Sequence, residues 1–125
     1  MKILIIGGYG VFGGRLIELL SDVPALELLV SGRNLERATA YCDSFEGAAQ
    51  VRPLKLDRTD IAQALKTEQP DIVVDASGPF QHYGDNTYTV VKACIEAKVN
   101  YLDFADAADF VFGISQFDEA AKAAG

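Results

Sequence analysis

Short apolar runs alternate with helical stripes along the whole chain. Lys2 to Ile6 (KILII) is a continuous apolar run ending in glycines. Successive strand residues point to opposite faces, so such a run predicts a parallel strand covered on both sides. From Val11 to Leu20 apolar residues fall at 11, 12, 16, 19 and 20, a helical stripe, with Pro24 beyond its end. Leu26 to Ser31 (LELLVS) predicts a second strand. Asn34 then offers an N-cap to a helix reaching about Cys42, with Leu35, Ala38 and Tyr41 on one face. A third strand is expected over Val51 to Leu56 and a helix from Thr59 or Asp60 through Lys66. Pro70 stops the intervening chain before the fourth strand, Ile72 to Asp75 (IVVD). Asn86 to Ala97 carries the next helical stripe, Asn100 to Asp103 (NYLD) a short fifth strand, and Ala105 to Ala124 a short helix, a break at Gly113 and a final helix.

Strands and helices alternating at these lengths predict an α/β domain: a doubly wound parallel sheet with helices on both faces. Right-handed crossovers restrict its strand order to 3-2-1-4-5, the Rossmann arrangement. Residues 1–125 form one domain, with no linker, low-complexity tract or internal repeat. The last helix stops where a sixth strand would begin, so the chain is expected to be cut short. Strand five would then be an exposed edge able to pair with another copy, and a homodimer is an expected consequence.

Composition narrows the partners. Half of the 125 residues are hydrophobic, and 11 Lys and Arg stand against 18 Asp and Glu, a formal net charge of -7. Such a surface repels phosphodiester backbones and anionic lipid, so neither nucleic acid nor membrane is expected as a partner. No apolar run approaches the ~20 residues of a membrane-spanning helix, and the opening lacks the apolar stretch of a secretory signal. Cys42 and Cys94 belong to no C-x-x-C pair, which suggests neither zinc nor a disulfide framework, and a reducing cytoplasm suits them. Both read as small buried apolar side chains.

The chemistry concentrates after the first strand. Gly7-Gly8-Tyr9-Gly10-Val11-Phe12-Gly13 contains G-x-G-x-x-G at Gly8, Gly10 and Gly13, between a strand and a helix as a dinucleotide site requires. On this reading Gly8 allows the tight turn, Gly10 leaves room for a pyrophosphate, and Gly13 lets the helix lie against the sheet. The diphosphate would sit on unpaired N–H groups at the helix N-terminus, where the dipole favours negative charge. Counted from Gly7, the same residues also fit G-x-x-G-x-x-G. A glycine-rich turn that merely connects strand to helix is the plain alternative. No Gly-Lys-Ser or Gly-Lys-Thr occurs, which argues against a Walker loop.

At the end of the second strand an NAD-preferring fold places a carboxylate for the ribose hydroxyls. Here the chain reads Ser31-Gly32-Arg33. A guanidinium at Arg33 suits a 2′-phosphate, and Arg37 shares its helical face, so NADP(H) is favoured over NAD. The alternative is a pair of solvated cations at a helix start, paired with Glu36. Asp57, just past the third strand, either accepts a hydrogen bond from an adenine amine or caps the following helix.

Four segments resemble the N-terminal NAD(P)-binding domain of the saccharopine dehydrogenase-like oxidoreductases: IIGGYGVFGGRL, LLVSGRNLERA, VVDASGPFQHYGDNTYTVVKACIEAKVNYLDFAD and FDEAAKAAG. The resemblance spans nearly the whole chain. It implies that a dinucleotide carries hydride, with Ser77, Gly78, Pro79 and Phe80 along its nicotinamide half. It also implies a large C-terminal domain that supplies the small-molecule substrate site, so this chain alone would be inert. The fold-level rule agrees, because Ser77 to Phe80 leave the crevice at the end of strand four. An ordinary turn with Phe80 plugging the core is the alternative. His82 and Tyr83 follow in the same loop, and Asp103 and Asp106 lie at a strand end, where they either act or cap a helix. The fold alone leaves open a sensing or regulatory module that binds NAD(P)H without catalysis, or a structural domain with an empty cleft.

Overall fold

The computed structural model describes residues 1–80 and 84–125. Five strands, β1 (Lys2–Ile6), β2 (Glu27–Gly32), β3 (Gln50–Lys55), β4 (Ile72–Asp75) and β5 (Asn100–Asp103), form one parallel sheet in the order β3-β2-β1-β4-β5. The helices are α1 (Val11–Leu19), α2 (Leu35–Ser44), α3 (Ile61–Glu68), α4 (Thr89–Ala97), α5 (Ala108–Gly113) and α6 (Asp118–Ala124).

β1 lies at the centre, with Ile5 beside both Val30 of β2 and Val74 of β4. Its alternate residues serve two cores, which is why its sequence is apolar without interruption. Ile3 and Ile5 join Leu28, Val30 and Val74 under Ile17 of α1, with Tyr41 of α2 packed alongside. Leu4 and Ile6 face the other way, with Leu29 and Val73, against Ile61 and Leu65 of α3 and Val90, Ala93 and Cys94 of α4. Pro53 lacks the N–H of a ladder donor and sits in β3, at the sheet edge where that omission is tolerated.

The expected order is observed, and two helix starts differ from expectation. The helix after β3 begins at Ile61, because Arg58–Asp60 form a separate 3-10 turn whose N-cap is Asp57. The helix expected from Asn86 begins at Thr89, after another such turn over Gly84–Asn86. Periodicity carried through both turns because their side chains keep near-helical spacing. α5 and the 3-10 turn Ile114–Phe117 that leads into α6 are fastened by aromatic contacts to Tyr88, the residue before α4. The Tyr88 hydroxyl donates to the Phe110 carbonyl at 2.9 Å, and its ring lies 4.9 Å from Phe110 and 5.1 Å from Phe117.

Candidate dinucleotide site

α1 and α2 cover one face of the sheet and α3 and α4 the other, so the chain changes face between β1 and β4. The loops leaving those two strands diverge, and a cleft of about 850 Å³ opens at their carboxyl ends.

The glycine turn forms the cleft's near wall. Gly7 carries the left-handed conformation, with φ of +76°, and an added Cβ would lie 2.8 Å from the Ala76 carbonyl oxygen. The tight turn therefore belongs to Gly7 rather than to Gly8, whose own requirement is close packing on the Val30 backbone. The Gly10 N–H closes the turn on the Gly7 carbonyl at 2.9 Å. Gly13 packs against Gly7 and Gly8, so its missing side chain lets the start of α1 lie close on the end of β1. Gly7, Gly10 and Gly13 are thus the three that shape the loop, the G-x-x-G-x-x-G spacing. Gly10 is the N-cap of α1; it offers no capping side chain, and the first turn holds no acidic residue. That helix end presents its N–H groups and positive dipole to the cleft.

β2 and α2 supply the cations. Gly32, Arg33 and Arg37 line the cleft, and among the described residues neither guanidinium is ion-paired, to Glu36 or to any other carboxylate. The Asn34 side chain caps α2 by accepting from the Arg37 N–H at 3.0 Å, as its sequence position suggests. The Tyr9 ring reaches across from the glycine turn. Its hydroxyl accepts from the Asn34 N–H at 3.1 Å, and the Arg37 guanidinium lies 5.1 Å from its ring centre.

Asp57 and Arg58 line the opposite wall. Asp57 Oδ1 accepts from both the Thr59 N–H, at 3.0 Å, and the Thr59 hydroxyl, at 2.9 Å, so the capping role is the one the structure shows. Those hydrogen bonds, helped by the charges of Arg33 and Arg58, hold its carboxyl below the usual range.

Sequence reasoning missed the cluster at the end of β4. Asp75 is fully buried; its Oδ2 accepts from Arg58 Nη1, and its Oδ1 accepts from the Ser77 N–H at 3.1 Å and the Ser77 hydroxyl at 2.6 Å. Arg58 also donates to Ser77 Oγ at 3.1 Å. One buried carboxylate thereby ties the β3–α3 loop to the β4–α4 loop, which together face the glycine turn across the cleft. An aspartate closing an apolar strand was the available signal, since a buried carboxylate demands a partner.

Of the expected site residues, Tyr9, Gly10, Val11, Phe12, Gly32, Arg33, Asp57, Ser77, Gly78, Pro79 and Phe80 line this cleft. Gly8, Gly13 and Ser31 lie beneath it; Ser31 is buried and its hydroxyl donates to the Ile5 carbonyl at 2.9 Å. The Phe80 ring is buried edge-on against Phe110, 4.8 Å between centres, so it plugs a core as well as bordering the cleft. Val11 and Phe12 are exposed at the rim, at 86% and 64%, and Phe12 stacks on Phe104 at 6.1 Å. Asp106 joins the lining, whereas the Asp103 carboxylate accepts from the Ala105 N–H at 3.0 Å as a local cap. His82 and Tyr83 lie outside the described residues.

Such a site, at the reversal of strand order in a doubly wound sheet, defines the molecule as a dinucleotide-binding α/β domain. The chain belongs to the family described as the saccharopine dehydrogenase NADP-binding domain, whose model matches residues 3–125, and its cofactor class is therefore NADP, with NAD possible. Comparison with curated proteins gave no match. Among solved structures, the chain resembles apo saccharopine dehydrogenase (L-Glu forming) from Saccharomyces cerevisiae, at 21% identity over 90% of this chain and 23% of that one, TM-score 0.65. It also resembles the Bordetella bronchiseptica enzyme WbmG in complex with NAD, at 25% identity over 82% of this chain and 36% of that one, TM-score 0.59. A yeast methylglyoxal/isovaleraldehyde reductase complexed with NADPH shares the fold at 11% identity, 98% of this chain and 52% of that one, TM-score 0.69. The chain thus spans from about a quarter to about half of these proteins' length. Among the described residues no helix is long and apolar enough to cross a membrane.

Proposed function

We propose that this chain is the cofactor-binding domain of an NADP(H)-dependent oxidoreductase. The observation that carries this reading is the pairing of two features in one cleft. The uncapped start of α1 opens behind Gly10, while β2 ends on Gly32 without a carboxylate and is followed by Arg33 and, in the first turn of α2, Arg37. Bare N–H groups suit a diphosphate, and forked guanidinium groups suit a second phosphate that a carboxylate would repel.

The residues fit the cofactor. An added Cβ at Gly10 would have no neighbour within 4 Å except the Gly7 carbonyl, so the space in front of the helix is open. Gly10 and the first turn of α1 hold the diphosphate, Arg33 the 2′-phosphate, and Ser77 to Phe80 border the nicotinamide half. When bound, the nicotinamide carries hydride, and this domain's task is to fix where it stands. The Arg58–Asp75–Ser77 cluster locks the β3–α3 and β4–α4 loops to each other, which limits reorganisation of that side of the cleft on binding. The substrate and the groups that act on it belong to the rest of the enzyme. The structures similar in fold were solved with either NAD or NADPH, so the fold admits both and the residues at the end of β2 choose.

Calorimetric titration tests the reading. The chain should bind NADPH more tightly than NADH, and Arg33→Ala should weaken NADPH by about 1.5–3 kcal/mol, the loss of a hydrogen bond to a charged group, with a much smaller effect on NADH. Equal wild-type affinities, or a parallel loss for both cofactors in the variant, would refute the role given to Arg33.

A further inference from the structure

We propose that Tyr9 is a positioning residue for cofactor selectivity, its ring standing in the place of the missing side chain at position 32 and holding the Arg37 guanidinium toward the 2′-phosphate. This rests on the proposed function and adds to it how the selecting cation is kept in place.

Three observations converge on the ring. Gly32 ends β2, the position from which a ribose-binding carboxylate would project in an NAD-type site. A Cβ added there would lie 2.4 Å from Tyr9 Cε1 and 2.5 Å from its Cζ and hydroxyl oxygen, so the ring already fills that volume. Above the ring lies Arg37, 5.1 Å from its centre, in cation–π range. The hydroxyl accepts from the Asn34 N–H at the start of α2, which fixes the ring between the glycine turn and the helix that carries Arg37.

Arg37 has no carboxylate partner among the described residues, so the aromatic face is what orders its long side chain. An ordered guanidinium loses less rotamer freedom when a phosphate arrives. The glycine at 32 is thus an absence with two effects. It removes the carboxylate that would repel a 2′-phosphate, and it leaves room for the ring that steadies the cation.

The test compares affinities for NADPH and NADH in wild type, Tyr9→Ser, Tyr9→Phe, Arg37→Met, Gly32→Ala and the doubles Tyr9→Ser/Arg37→Met and Tyr9→Ser/Gly32→Ala, with melting temperature followed throughout. Tyr9→Ser should lower the NADPH to NADH affinity ratio about fivefold, the upper scale of an exposed cation–π contact. Tyr9→Phe keeps the ring and should hold the ratio within about twofold of wild type. Gly32→Ala adds no charge, yet it pushes the ring aside and should lower the ratio as Tyr9→Ser does; combining it with Tyr9→Ser should add nothing further. Tyr9→Ser should also have no effect in the Arg37→Met background.

An unchanged ratio in Tyr9→Ser overturns the inference. So does a loss in Tyr9→Phe equal to that in Tyr9→Ser, which would make the hydroxyl the operative group, or a Tyr9→Ser effect that persists without Arg37. If wild type shows no preference for NADPH, the proposed function falls as well; if the preference and its dependence on Arg33 stand, only the role of Tyr9 is refuted.

Discussion

A single methyl group, added at either the N-cap Gly10 or Gly13 in the first turn of α1, should separate the fold from the ligand site. In Gly13→Ala the new Cβ would lie 2.3 Å from the Gly7 carbonyl oxygen and 2.8 Å from Gly8 Cα, both backbone atoms that cannot rotate away. The turn must open, although the Gly8 N–H to Ser31 carbonyl and Gly10 N–H to Gly7 carbonyl bonds, each 2.9 Å, hold it shut. Overpacking costs about 1–3 kcal/mol, and losing one of those bonds adds about 1. A loss of about 2–4 kcal/mol is a large part of the roughly 5–15 kcal/mol that holds such a domain together, and should lower its melting point by about 10 °C or more. In Gly10→Ala the Cβ meets only the Gly7 carbonyl oxygen, at 3.1 Å, and the backbone is extended, with φ of -80°. Stability should change by no more than about 1 kcal/mol, because the rigidity gained in the unfolded chain offsets a poorer N-cap. The methyl instead occupies the space before the helix, and NADPH affinity should fall about a hundredfold. Thermal melts with and without cofactor read both effects. At a hundred times the wild-type Kd, NADPH stabilises wild type by about 2.7 kcal/mol, and a hundredfold weaker variant by only about 0.4. A Gly10→Ala chain that keeps the full cofactor shift, or a Gly13→Ala chain that melts within about 3 °C of wild type, would refute the division of roles.

Two further outcomes are expected. Arg58→Met leaves the buried Asp75 carboxylate with the Ser77 donors but without its cation, and should cost about 3–5 kcal/mol in urea unfolding. Adding Asp75→Asn should recover part of that, and a single-variant loss under about 1 kcal/mol would show the pair to be dispensable. Cys94 is buried, and burial together with the nearby Asp75 charge pushes its thiol up to about 12, whereas Cys42 is part-exposed with a smaller upward shift. At pH 8.5 a thiol reagent should therefore modify Cys42 first and Cys94 only on unfolding; equal rates would contradict the burial.

The alternation of apolar runs and helical stripes located every strand to within a residue or so and placed the glycine turn between the first strand and helix. These are local signals: period, run length and a capping Asn34 act over a few residues, and right-handed crossover then leaves little choice of strand order. Boundaries failed where a 3-10 turn precedes a helix, at Arg58–Asp60 and Gly84–Asn86, because side-chain spacing barely distinguishes the two. The cation-rich end of β2 was legible because Arg33 follows a strand that lacks its carboxylate.

What tertiary structure decided was which residues meet. Asp75 and Arg58 are separated by a whole helix, and only the adjacency of the β3–α3 and β4–α4 loops brings them together. Tyr9 and Gly32 come from different strand ends, and parallel pairing of β1 with β2 sets one above the other. Likewise, a G-x-x-G-x-x-G string cannot say which glycine bears the left-handed turn, since that follows from where Ala76 and Val30 crowd the loop. Sequence periodicity is written along one element at a time, whereas charge pairing, steric exclusion and an open cleft depend on distances between elements that exist only once the sheet has formed.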